Sequence, residues 1–207
     1  MTIPAAEHWN TIFRTKASSS LSWAQEKPTI SLNFIKEANI PHSAKIIDVG
    51  GGDSNLVDYL LEEGYTDVTV LDLSETALQK SKERLGPAAK KVTWIVSDVL
   101  DFKPKETYAI WHDRAAFHFQ TDVKKIEQYV ALVQQAVQGQ VILGTFSHQG
   151  PMKCSGLEIK QYDEQEMQET FERANFTKVK CQNADHLTPS GVKQSFLFCR
   201  LAKRNTV

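Results

Sequence analysis

Cysteine is scarce in this chain. Cys154, Cys181 and Cys199 are the three among 207 residues, odd in number, far apart and without the paired spacing of metal ligands. Neither a disulfide framework nor a structural zinc site is expected from them. An excess of charge of one sign is also missing: 24 Lys and Arg face 25 Asp and Glu, for a formal net charge of -1. The basic residues are scattered rather than gathered in a stripe, which argues against a nucleic-acid partner, and the pairs Lys90-Lys91 and Lys124-Lys125 read as solvated surface. No apolar run approaches the length of a membrane span, and the opening Thr2-Ile3-Pro4-Ala5-Ala6-Glu7-His8-Trp9 lacks the parts of a secretory signal. The expectation is a cytoplasmic protein with no membrane partner. Repeats and low-complexity tracts are absent apart from the polar break Ser18-Ser19-Ser20.

What is present begins with length, which suits one α/β domain over residues 1–207 with a substantial core. Residues 1–27 read as an N-terminal helical cover, because Trp9, Ile12 and Phe13 give the stretch Ala6 to Lys16 a small apolar face. The most telling segment runs from Lys45 to Asp72. Ile46, Ile47 and Val49 suit a buried parallel strand, and Gly50, Gly51 and Gly52 let backbone approach a ligand where a Cβ would collide. A helix from Ser54 to Glu63 follows, its apolar positions Leu56, Val57, Leu60 and Leu61 at helical spacing. Val68 to Leu71 forms a second strand. Asp72 ends it, where a carboxylate accepts hydrogen bonds from ribose hydroxyls.

The charges near the glycines discriminate between nucleoside ligands. The pattern Gly50-x-Gly52-x-x-Asn55 has asparagine where a dinucleotide fingerprint wants glycine, and Asp48 would repel a pyrophosphate. A cationic ligand suits Asp48. S-adenosylmethionine (SAM) carries a positive amino group and a positive sulfonium, so Asp48 serves its methionine end and Asp72 its ribose. A further strand over Val92 to Val96 leads into Ser97-Asp98-Val99, with the Asp98 carboxylate placed for an adenine amino group and Val99 for the ring. The plainer readings are a tight turn at the glycines and a surface aspartate at 98.

The rest of the chain alternates as a parallel sheet requires. Helices are expected over Pro28 to Ala38, Ser74 to Leu85, Thr121 to Val137 and Asp163 to Ala174, with strands over Tyr108 to Trp111 and Gln140 to Phe146. Thr177 to Cys181 and Gln194 to Leu201 read as two last strands. Only about a dozen residues without a convincing helix separate them, which favours an antiparallel pair because a parallel crossover needs more chain. The fold class is therefore α/β, a doubly wound seven-stranded sheet, mostly parallel with an antiparallel C-terminal strand and helices on both faces.

Three ordered motifs, Asp48-Val49-Gly50-Gly51-Gly52, Leu71-Asp72 and Ser97-Asp98-Val99, resemble those of the class I SAM-dependent methyltransferases over roughly Pro28 to Lys203. His8-Trp9-Asn10 and Trp111-His112-Asp113-Arg114-Ala115 are similar to a bacterial branch of small methyltransferases. The resemblance implies SAM as cofactor, with S-adenosylhomocysteine (SAH) as product, held by Trp23, Asp48, Gly50, Gly52, Asp72, Leu73, Asp98, Val99 and the His112 backbone. It sets the turn after the fourth strand beside the transferable methyl, so Asp113 and His118 become candidate bases and Arg114, His148 and Cys154 candidate acceptor contacts. No metal is implied. For the same side chains, other readings stand: Asp113 as a cap of the following turn, Arg114 in an ion pair, His118 as a satisfied core histidine, Cys154 as an inert buried thiol. The expected activity is in-line methyl transfer to a small-molecule nucleophile. A protein-lysine acceptor and a non-catalytic SAM-binding protein are the alternatives.

Overall fold

Ile46–Val49 forms β1, buried along its whole length, and its side chains alternate between the two faces of a central sheet. Ile46 belongs to one apolar cluster with Leu32, Leu56, Leu60 and Leu78, while Ile47 and Val49 belong to the other with Tyr129, Val133 and Phe171. This computed structural model describes residues 4–204. Its strands are β1, β2 (Val68–Asp72), β3 (Val92–Val96), β4 (Tyr108–Arg114), β5 (Val137–Phe146), a short flap of β6 (Lys153–Cys154) and β7 (Leu157–Glu158), then β8 (Phe176–Leu187) and β9 (Lys193–Lys203). The helices are α1 (Ala5–Thr15), α2 (Thr29–Glu37), α3 (Leu56–Glu62), α4 (Glu75–Leu85), α5 (Val123–Ala136) and α6 (Glu164–Glu172).

The seven long strands form one sheet in the order β3-β2-β1-β4-β5-β9-β8. Pairs among the first five are parallel, and β9 runs antiparallel to both β5 and β8. The seven-stranded sheet with one reversed C-terminal strand is therefore as expected. Local sequence explains the boundaries. Ser74 caps α4, its Oγ accepting from Ala77 N at 3.1 Å, and Asp163 and Glu166 form a capping box on α6. Asn55, the residue that breaks the dinucleotide fingerprint, donates from Nδ2 to the carbonyls of Gln25 and Glu26 and pins the incoming N-terminal segment.

Three expectations need correction. β4 continues through Arg114 instead of ending at Trp111, because parallel pairing with β5 runs on to Gly144. The last two strands are longer than read, β8 reaching Leu187 and β9 starting at Lys193, so a tight hairpin replaces the loop of about a dozen residues. Cys181 and Cys199 are joined by a disulfide. Eighteen residues separate them in sequence, yet they face each other directly across the β8–β9 ladder. Linear spacing carries no sign of that pairing, which exists only once the register is set.

Candidate active site

In an open parallel sheet, ligands sit beyond the carboxyl ends of the strands, and here a cavity of about 420 Å³ lies there. Val49, Gly50, Asp72, Asp98 and Ala115 reach it from the ends of β1 to β4, and Trp9, Phe13 and Trp23 close it from the N-terminal segment. A smaller lobe of about 40 Å³, which shares Phe13, Trp23, Gly50 and Arg114 with the larger one, is lined by Asp48, Ser31 and His112. Gly50 and Gly52 have positive φ, 68° and 37°, a region in which side chains are strained. A Cβ on Gly50 would stand 2.7 Å from Ala116 Cβ, and one on Gly52 would stand 2.7 Å from Asp72 Oδ2. The turn is glycine because neighbouring strand ends crowd it.

At the end of β2, Asp72 accepts from Ser74 N at 2.7 Å. Burial pushes its carboxyl up to about 7, with the nearby Asp48 charge adding to the rise and the amides of Ser74, Gly52 and Leu73 opposing it. After β3, Asp98 folds into an Asx turn, Oδ1 accepting from Leu100 N at 2.9 Å, while Asp98, Val99 and Leu73 all line the cavity. Asp72 and Asp98 thus reach the space from the neighbouring strand ends of β2 and β3. The site fits an adenosyl ligand: Asp72, Asp98 and the glycine turn face it, and Glu158, Lys125 and Arg114 are the other charged residues of the lining.

Asp48 is almost wholly buried, and its Oδ1 meets His112 Nδ1 at 2.7 Å, with His112 Nε2 2.8 Å from Ser31 Oγ. This chain ties β1, β4 and α2 together. Sequence reasoning placed His112 by its backbone alone and missed Ser31, since an alternating strand and a remote helix offer no spacing signal.

The two candidate bases are placed elsewhere. Asp113 points to the opposite face of the sheet from His112 and is fully buried. Its carboxylate accepts from Ala116 N at 2.9 Å, Phe117 N at 3.0 Å and the Tyr129 hydroxyl at 2.6 Å, and that hydroxyl accepts from Trp111 Nε1. Burial raises its carboxyl to about 6 against these bonds. Asp113 is the capping carboxylate of a tight turn and lines neither lobe. His118 is fully buried too, stacked on Phe146 with ring centroids 4.9 Å apart, and neither ring nitrogen has a hydrogen-bond partner. Burial, and then the Arg114 charge, lower it to about 3, so it stays neutral. It also lines neither lobe.

The acceptor candidates divide. Arg114 lines both lobes, and Cys154 of the β6–β7 flap lines the larger one as a free, buried thiol whose pKa burial raises. His148 is drawn away to the start of α6, where Nε2 lies 2.8 Å from Glu166 Oε2, and it does not face the cavity. From the loop after β5 the ring is captured by the acidic capping box of α6. Trp23 lines both lobes, with its ring 5.8 Å from that of Trp9, which in turn lies 5.3 Å from Phe119.

Residues 46–140 match the family described as a methyltransferase domain. Over 111 residues the chain is 23% identical to the eEF1A lysine and N-terminal methyltransferase of Mus musculus, an alignment covering 53% of this chain and 16% of that protein. The chain therefore spans less than a fifth of that relative's length. Among solved structures, a Burkholderia thailandensis 1,6-didemethyltoxoflavin-N1-methyltransferase with bound 1,6-didemethyltoxoflavin and SAH superposes with a TM-score of 0.72 at 20% identity, covering 99% of this chain and 93% of that one. A SAM-dependent methyltransferase from Anabaena variabilis superposes with a TM-score of 0.75 at 15% identity over 98% and 96% of the two chains. The sheet order and these neighbours show that the chain has the fold of SAM-dependent methyltransferases, and residues 46–140 carry the match to the methyltransferase-domain family.

Proposed function

We propose that the protein transfers the methyl group of SAM to a small-molecule nucleophile. The observation that carries this reading is one continuous cavity with a nucleoside end at Asp72 and Asp98 and an aromatic end at Trp9, Trp23 and Phe119. Asp72 takes the ribose, Asp98 and Val99 the adenine, and Gly50 with the lobe at Asp48 the methionine portion. SAM supplies an electrophilic methyl whose sulfur loses its positive charge on transfer. The protein's part is to align the acceptor and exclude water, which suits a cavity closed by apolar rings. Asp113 and His118 are assigned no proton-transfer role. An acceptor already anionic at neutral pH needs no base from them.

A protein acceptor is the second reading, favoured by the likeness to the lysine and N-terminal methyltransferase. A SAM-binding protein without transfer shares the nucleoside end and differs only in turnover. No helix among the described residues is long and apolar enough to cross a membrane. We keep a cytoplasmic setting as part of the proposal, one whose reducing conditions act against the Cys181–Cys199 disulfide. Isothermal titration with SAM, SAH and NAD tests the cofactor, and labelled methyl transfer from SAM to metabolite pools or to protein separates the acceptors. Binding of NAD alone overturns the reading.

A further inference from the structure

Arg114 stands out at the junction of the two lobes. Its stem crosses Gly144 of β5 so closely that a Cβ there would lie 3.1 Å from Arg114 Cγ. Among the described residues its guanidinium makes one hydrogen bond, Nη2 to the Trp23 carbonyl at 2.6 Å, and no carboxylate lies within ion-pairing distance. Asp48, whose charge is felt at Arg114, is held by His112. The other titratable neighbours carry no charge to offset it. His118 and His186 are pushed toward the neutral form by burial and by Arg114 itself, and burial keeps the Cys154 thiol protonated. Glu158 sits exposed on the flap at the cavity rim, with Lys125 also in the lining.

A half-buried guanidinium that faces a cavity without a counter-ion is free to take an anion, and its planar fork matches a carboxylate in bidentate geometry. Arg114 lines the lobe at Asp48 as well as the larger cavity, so both the methionine portion and an acceptor come within its reach; the nucleoside end lies over β2 and β3, whereas Cys154 and His186 approach Arg114 from the flap and from β8, on the other side of β1 in the sheet order. On the reading that SAM occupies the nucleoside end, we infer that Arg114 recognises a carboxylate on the acceptor, with the rings of Trp9, Trp23 and Phe119 enclosing an aromatic or apolar body. The carboxylate is the handle by which the acceptor is held, and Arg114 positions it without taking part in bond making.

The test uses benzoate and its neutral isostere benzamide as probes, followed by NMR titration of the intact protein with and without saturating SAH. Benzoate is expected to bind at least about tenfold more tightly than benzamide. Arg114→Met should abolish that preference, and Arg114→Lys should keep part of it, because the charge remains while the fork is lost. Equal binding of the two probes to the unaltered protein overturns the inference, a comparison that needs no variant to fold. 5′-Methylthioadenosine, which lacks the amino-acid carboxylate, separates the other source of such a group. If Arg114→Met weakens SAH about tenfold or more and leaves methylthioadenosine unchanged, the arginine serves the cofactor and the acceptor assignment falls. Failure of SAH to bind, with benzoate selectivity intact, strikes the cofactor reading alone.

Discussion

Asp72→Asn is expected to make the protein more stable and the cofactor weaker, both at pH 8. Burial lifts the Asp72 carboxyl from 3.8 to about 7, so in the window between those values the folded protein holds a proton that the unfolded chain releases. Stability contributed by this group is therefore greatest at low pH and declines as pH rises toward 7. Ionising Asp72 in the fold therefore costs on the order of 4 kcal/mol at most, less as cavity water screens the charge. Asparagine removes the buried charge and keeps an oxygen for Ser74 N, whose bond to Asp72 is 2.7 Å. After the amide's own burial, a net gain of roughly 1–3 kcal/mol remains at pH 8, shrinking toward zero near pH 4. Loss of a charged acceptor for ribose hydroxyls costs about 1.5–3 kcal/mol, a roughly ten- to hundredfold weaker SAH complex. Thermal unfolding across pH reads the first effect and titration calorimetry the second. Native SAH affinity should also fall below pH 7, with proton release on binding measurable in buffers of different ionisation heat. An asparagine variant with unchanged stability at pH 8, or with native SAH affinity, would refute the reasoning.

Other outcomes follow from the same geometry. Tyr129→Phe strips the buried Asp113 carboxylate of its 2.6 Å bond and leaves Trp111 Nε1 without an acceptor, so chemical denaturation should show a loss of about 2–4 kcal/mol; a loss below about 0.5 kcal/mol contradicts the assigned network. His118→Phe replaces two unpartnered ring nitrogens beside Phe146 and should leave stability unchanged or raise it by about 1 kcal/mol. Transfer to an identified acceptor should continue at the native rate, and its loss would restore His118 as a base. Reduction of the Cys181–Cys199 bridge closes no long loop, since 18 residues separate the pair. The melting temperature in a phosphine reductant should therefore correspond to a loss of at most about 3 kcal/mol, and complete unfolding would contradict it.

How far the sequence reaches depends on the range over which each feature is set. The glycine turn, Asp72 and Asp98 were readable because each ends a strand whose identity is local, and the sheet brings consecutive strand ends to one rim. Asp113 shows where this fails. From the spacing alone, a base and a turn cap look the same at that position. Two further residues in β4 placed it on the face toward Tyr129, where the backbone amides of Ala116 and Phe117 claim it. The Asp48–His112–Ser31 chain and the Cys181–Cys199 pair depend on register between distant segments, and no window of sequence contains it. His148 shows a related limit: its loop after β5 was legible, but the pull of the α6 start on its ring was not.

The attachment of α1 has a practical consequence. Asn10 Oδ1 accepts from Ser74 Oγ at 2.8 Å and from Thr76 N at 3.2 Å, while Trp9 beside it forms part of the cavity wall. Ser74 is also the residue whose amide holds Asp72. A purification tag or fusion partner placed ahead of Ala5 hangs on this wall, one hydrogen-bonded step from Asp72. Binding rates measured on such a fusion describe the tether as well as the protein, and a tag carried after Arg204 leaves that wall free.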